Sequence, residues 1–350
     1  MKHKRSTYFY MLTALLSMLL FVVACAPIYT PVDLNKNNSG LVWPAKPDSA
    51  RIAYVASFYH PDHFGIKKGF FSWLGDLFTG EEERRMIRPM AITETSDNVL
   101  FVADPGAKGI HRFDLKNKHY SLIRQIDEKI LPSPVGLSVD KQDNVYVVDS
   151  ELAQLFKIEK NKKYAIAVSL QQPLTQPTSV AVDSDSGSLY ITDTAEHQIK
   201  HFSFDGKLKS IIGKRGTAEG EFNYPTMIWR NKSGQLYVTD SLNFRVQVFN
   251  RNGKFIRYFG KQGGGSGHLS RPKGVATDRN GHVYVVDGLF HVFQLFNEKG
   301  NFLLHVGGQG QREGEFWLPS GIFINDNDII YVADSHNRRV QVFRYLGDQS

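Results

Sequence analysis

Six aspartates recur along this 350-residue chain: Asp104, Asp149, Asp193, Asp240, Asp287 and Asp334, at intervals of 45, 44, 47, 47 and 47 residues. Carboxylates gathered in such number would suit a hard cation such as calcium. Each of them, however, closes the same kind of apolar phrase: LFVAD, VYVVD, LYITD, LYVTD, VYVVD and IYVAD. Each is followed by Ser, Thr, Pro or Gly. An aspartate at a strand end accepts hydrogen bonds from the amides of the turn that follows. A residue repeated in every unit builds the unit, whereas a ligand site breaks the repetition. The histidines His197, His201, His291 and His336 lie in or beside the segments that follow these aspartates, with no shared spacing. They read as surface residues rather than metal ligands.

The elements that must position these groups follow from the same period. A proline stands ahead of every aspartate, at Pro89, Pro134, Pro177, Pro225, Pro272 and Pro319. The fifth copy reads GVATD, RNGH, VYVVD, HVFQLF, NEKG and FLLHVG in succession. Alternating β-branched and aromatic residues mark strands, and Asn-Gly and Lys-Gly mark tight turns, so one copy is four short strands. Such a sheet cannot bury both faces alone, and several packed around an axis can, which is the logic of a propeller. The expected fold is all-β, a six-bladed β-propeller over 51–346. The sixth copy lacks its fourth strand, and RIAYVASF at 51–58 has the pattern to supply it. Pairing the two chain regions would close the ring and remove an exposed sheet edge.

The pattern P-x-G-[VI]-x-x-D, [VIL]-Y-V-x-D-[ST], R-V-Q-V-F and F-x-x-x-[FV]-G resembles the NHL repeat, most clearly in copies 4 to 6. KGIHRFDL and LAQLFKIEK depart from it in copies 1 and 2. The resemblance implies an NHL-type six-bladed propeller, a scaffold shared by proteins of different activities. Lyases and lactonases on related propellers hold zinc or calcium near the axis, with ligands from the innermost strands. Here the innermost strands should begin after each proline, at Met90, Val135, Thr178, Thr226, Lys273 and Ser320. None is an imidazole or carboxylate, so the sequence leans away from an enzyme and implies no cofactor and no metal.

Basic residues offer a better-placed constellation. Residues 200–345 hold 20 Lys+Arg against 12 Asp+Glu. Lys214, Arg215, Lys261, Arg271 and Arg312 lie in Gly-rich loops ahead of the prolines, and Lys273 follows one. Arg245, Arg338 and Arg339 follow the repeat aspartates. Gathered on one rim, they would attract an anionic partner: a cell-envelope protein, or an anionic glycan or lipid.

Between 60 and 88 the chain departs from the repeat. Phe70, Phe71, Leu74, Leu77 and Phe78, with Trp73 adjoining, predict an amphipathic helical insertion of about three turns. It would pack on the propeller or dock to a membrane or partner.

The first residues read as an export signal. Lys2, Lys4 and Arg5 precede an uncharged apolar stretch, and FVVAC resembles a bacterial lipobox around Cys25, the one cysteine of the chain. This implies a signal peptide over 1–24, a lipid on Cys25 and a proline-containing tether over 25–50. The net charge of +7 would fall by the three signal-peptide charges to +4. Ala26, rather than Asp, directs the expectation to the outer membrane, or to the outer face of the cytoplasmic membrane where no outer membrane exists. Export removes nucleic acid as a partner, and the expected state is a monomer.

Overall fold

The computed structural model of the protein describes residues 32–34, 40–67, 84–126 and 129–347. Six antiparallel sheets are arranged in a ring, the inner strand of each beside that of the next, and the sixth beside the first. The inner strands are Ala91–Glu94, Pro134–Val139, Pro177–Asp183, Pro225–Arg230, Pro272–Thr277 and Ile322–Ile324. We number the blades 1 to 6 in that order.

The second strand of each blade, such as Val283–Asp287 in blade 5, is buried along its whole length because neighbouring blades cover both of its faces. Outer strands such as Leu208–Ile212 and Phe255–Phe259 are more exposed and show the alternation of a half-solvated edge. Inner strands approach closely, which limits side-chain size two residues beyond the prolines in every blade but the fourth, where Met227 stands. A Cβ on Gly321 would lie 2.2 Å from the Met90 carbonyl oxygen, and one on Gly274 would lie 2.6 Å from that of Ser320.

The ring closes as the sequence predicts. Ile52–Phe58 pairs antiparallel with Arg339–Tyr345, with Tyr54 opposite Phe343 and Phe58 opposite Val340. Phe58 is fully buried and meets Phe64 and Phe113 at centroid distances of 4.7 and 5.7 Å, joining the closing strand to blade 1. The tether boundary differs from expectation. Val42–Trp43, inside the stretch read as linker, adds a fifth strand to blade 6. Trp43 packs at 5.8 Å on Phe343, so apolar burial draws this segment onto the fold.

The described flanks of the 60–88 insertion pack through Phe64, Ile66 and Met86 into the core between blades 6 and 1. Among its described residues the helical element is a single 3-10 turn, Pro61–Phe64. Phe70, Phe71, Trp73, Leu74, Leu77 and Phe78 lie outside the described residues, as do Cys25 and the signal segment. Among the described residues no helix is long and apolar enough to cross a membrane.

Candidate functional site: the loop-end face and the axial cavities

All six repeat aspartates are fully buried. Their work reaches further than the local turn that the sequence suggests. Each carboxylate accepts from a backbone amide just ahead of its proline: Arg88 and Ile87 for Asp104, Ser133 for Asp149, Thr175 and Gln176 for Asp193. Asn223 serves Asp240, Ser270 and Arg271 serve Asp287, and Trp317 serves Asp334. Turn amides are added at Asp104, Asp149 and Asp287. The aspartate therefore pins the entering loop to the loop that follows the second strand, and both loop classes stand at one end of the propeller.

The R-V-Q-V-F phrase explains itself at the same point. Arg245 Nε and Gln247 Nε2 donate to Asp240 at 2.8 and 3.0 Å, and Arg339 Nε and Gln341 Nε2 donate to Asp334 at the same distances. The second guanidine nitrogen of each arginine reaches carbonyls of the Gly-rich loop. In blades 1 and 3, His111 and Lys200 replace the glutamine as partners of Asp104 and Asp193.

These contacts divide the nine expected ligand-binding cations. Arg245 and Arg339 are buried, and their charge is matched by Asp240 and Asp334, so they belong to the scaffold. Lys214 is exposed and pairs with Glu221 at 3.3 Å. Arg215, Lys261, Arg271, Arg312 and Arg338 are exposed on the loop-end rim. None of these five has an ion-pair partner among the described residues. Lys273 lines the axial cavity inside that rim rather than the rim itself. Between the free cations stand exposed apolar groups that sequence reasoning passed over: Tyr224, Leu242, Leu289 and Trp317, each between 39% and 49% exposed. Leu242, Leu289 and His336 occupy equivalent places two residues after their aspartates, which is the signal that could have found them.

Cavities lie along the axis, among them one at each end. At the loop end, about 190 Å³ is bounded by Met90, Val135, Thr178, Thr226, Lys273 and Ser320, the positions expected to begin the inner strands. Burial, followed by the charge of Arg271, lowers the Lys273 pKa. At the opposite end a wider cavity of about 550 Å³ includes Glu94, Trp229, Arg230 and Phe323. Burial raises the Glu94 pKa, against the pull of hydrogen bonds from Asn325 and Tyr331. Trp229 meets Phe323 edge-on at 5.9 Å, and its indole N–H donates to Thr277. In the linear chain this mouth is marked only by Trp229 and Arg230, large residues where the other blades have mostly small or β-branched ones. Charges around it are mutually matched between blades, as in Arg230 with Asp183 and Arg279 with Asp328. Among the described residues no three His, Cys, Asp or Glu side chains converge as a metal site.

Comparison with known proteins agrees with this architecture. The family profile described as the teneurin NHL domain matches residues 121–315, and that of the NHL repeat matches 316–343. The chain belongs to the teneurin NHL domain family. This NHL propeller is also similar to peptidyl-glycine alpha-amidating monooxygenase of Mus musculus, 26% identical over 172 residues, or 45% of this chain and 16% of the relative. The Xenopus laevis form A is 26% identical over 184 residues, covering 49% of this chain and 17% of its own. The NHL propeller thus spans about a sixth of the length of these curated relatives.

Among solved structures, virginiamycin B lyase from Staphylococcus aureus has a TM-score of 0.53 at 14% identity, covering 77% of this chain and 97% of its own. A putative gluconolactonase gives 0.58 at 14%, covering 75% and 89%. A chain of the nidogen/laminin complex gives 0.53 at 17%, covering 71% and 86%. At these identities the likeness is one of fold.

Proposed function

We propose that this NHL propeller is a lipid-anchored scaffold of the cell envelope that binds an acidic protein partner on its loop-end face. One observation carries the reading: four arginines and Lys261, none with a carboxylate partner among the described residues, are interleaved there with exposed aromatic and aliphatic side chains. Arginine and aromatic residues are enriched at protein interfaces, and unpaired surface cations steer an acidic surface onto them. A polyanion alone would make little use of Trp317, Leu242 and Leu289. Anchoring rests on the apolar segment that ends in FVVAC at Cys25; several acyl chains suffice to hold a protein at a bilayer. Ala26 favours the outer membrane.

The test uses the full chain in intact cells with a photo-crosslinking amino acid at position 317, and at Lys232 on the opposite mouth as control. The captured protein is then purified and its binding measured against wild type and the Arg271→Glu/Arg338→Glu double variant. Capture at 317 alone is expected, with affinity at low salt falling roughly tenfold or more in the double variant and the difference shrinking as salt rises. Equal capture at both ends, or affinity untouched by charge reversal, would overturn the proposal. The fold of the lyase and lactonase neighbours motivates a second reading, an axial-metal enzyme, which stoichiometric zinc or calcium in the purified chain would favour.

A further inference from the structure

Blade 5 departs from its neighbours at the axis. In blades 3, 4 and 6 the residue after the proline and the residue after the aspartate are both hydroxyl-bearing, and they meet: Thr178 with Thr194 at 2.6 Å, Thr226 with Ser241 at 2.8 Å, Ser320 with Ser335 at 2.7 Å. The second hydroxyl of each pair donates to the proline carbonyl of the next blade, at Pro225, Pro272 and Pro89. These links tie each blade to its successor. Blades 1 and 2 begin their inner strands with Met90 and Val135, which are apolar. Blade 5 has Lys273 and Gly288 at the paired positions. It forgoes both hydroxyls, and a Cβ on Gly288 would lie 3.4 Å from Lys273 Cγ and 3.3 Å from the Pro319 carbonyl oxygen. Gly288 thus lies directly against the Lys273 stem.

The substitution costs stability at that joint and sets a cation in a cavity that otherwise has hydroxyl and apolar walls. Blades 1, 2 and 5 all forgo the pair, but only blade 5 does so with a charged group, and a charge set where the other blades have hydroxyl or apolar residues marks function rather than folding. The Lys273 ammonium has no hydrogen-bond or ion-pair partner among the described residues, and its nearest charged influence is another cation, Arg271. A largely buried charge without a counter-charge is costly, and an anion that enters recovers that energy.

We infer that the loop-end axial cavity is a carboxylate-binding site, in which the Lys273 ammonium pairs with a carboxylate carried on a short apolar stem. The cavity sets the class. About 190 Å³ admits a group the size of a glutamate side chain or a four-carbon acid. Thr178, Thr226 and Ser320 spend their single hydroxyl protons on the paired hydroxyl or on inner-strand carbonyls, and one cation with the remaining hydroxyls of Ser133, Ser150 and Ser179 suits a monoanion better than a phosphate dianion. Met90, Val135 and Met227 offer the stem an apolar wall. The carboxylate has two possible sources, a free small acid or an acidic side chain of the partner, and only the second rests on the proposed docking face.

The test titrates the full chain with butyrate, with inorganic phosphate and with an acetylated, amidated peptide bearing one glutamate. Binding is followed by calorimetry and by the Lys273 Cε resonance, assigned through its loss in Lys273→Met. Butyrate is expected to move that resonance and to raise the ammonium's titration midpoint, with phosphate weaker. Lys273→Gln should lower butyrate affinity at least about tenfold, the factor that corresponds to losing roughly 1.4 kcal/mol. Peptide binding without butyrate binding assigns the site to the partner's side chain; the reverse assigns it to a free acid. Lys273→Met should leave the melting temperature unchanged or higher, since an unpaired buried charge is gone. No response of the resonance to either carboxylate, binding that survives both variants, tighter binding of phosphate, or a large fall in melting temperature on Lys273→Met would each overturn the inference. Charge reversal at Arg271 and Arg338 tests the docking face separately, because partner binding there can fail while butyrate still binds.

Discussion

Asp334→Asn is the perturbation that bears most directly on how blade 6 is held. Asp334 is fully buried and accepts four hydrogen bonds: from the Trp317 amide, Asn337 Nδ2 and Arg339 Nε at 2.8 Å, and from Gln341 Nε2 at 3.0 Å. Three of the four converge on one oxygen. An amide in its place must either turn its NH₂ toward those three donors or toward the Trp317 amide, so a clash between donors is unavoidable. It also leaves the Arg339 guanidinium buried without its counter-charge. Breaking a buried ion pair from one side costs about 3–5 kcal/mol. For a domain of this size that lowers the melting temperature by roughly 10 °C.

The assay is urea unfolding of the full chain by circular dichroism, with melting temperature as a second reading. Asp240 has the same partners in Asn223, Asn243, Arg245 and Gln247, so Asp240→Asn should cost a similar amount. Asp149 accepts only from the amides of Ser133, Glu151 and Leu152, and Asp149→Asn should cost less, about 1–2 kcal/mol. Adding Arg339→Met to Asp334→Asn should cost less than the two singles summed, because no unpaired cation remains. An Asp334→Asn cost within about 1 kcal/mol of zero, or an additive double variant, would refute the clamp.

Further outcomes follow from closure, titration and anchoring. Phe58→Ala removes a fully buried ring that joins the closing strand to blade 1 and should cost about 3–5 kcal/mol in the same unfolding assay. His201 stacks on Tyr190 at 4.3 Å, and burial, then Lys209, lowers its pKa to about 4. The unfolded chain therefore binds the proton more readily, so this contribution is complete above about pH 6.5 and is lost as pH falls toward 4. His201→Phe should flatten that part of the acid limb, and an unchanged profile would show that the histidine titrates normally. Cys25→Ala should move the protein from the membrane fraction to the soluble one; retention in membranes would remove the lipid anchor from the proposal.

The period of the aspartates and prolines was enough to give the number of blades, the strand order within each, and the closing role of residues 51–58. The reason is that these depend on alternation and spacing along one dimension, which a linear text records. It also gave the six positions that face the loop-end cavity, because the inner strands start at fixed offsets from the prolines. Which cations are free was decided only in three dimensions. Arg245 and Arg338 look alike as letters after a repeat aspartate, yet one turns inward onto a buried carboxylate and the other stays in solvent. The pull of Trp43 onto blade 6, the matched charges at the wide mouth and the isolation of Lys273 likewise depend on residues tens to hundreds of positions apart meeting around an axis. The repeat wrote the frame; the departures from it, at Lys273 with Gly288 and at Trp229 with Arg230, acquire meaning only when neighbouring blades surround them.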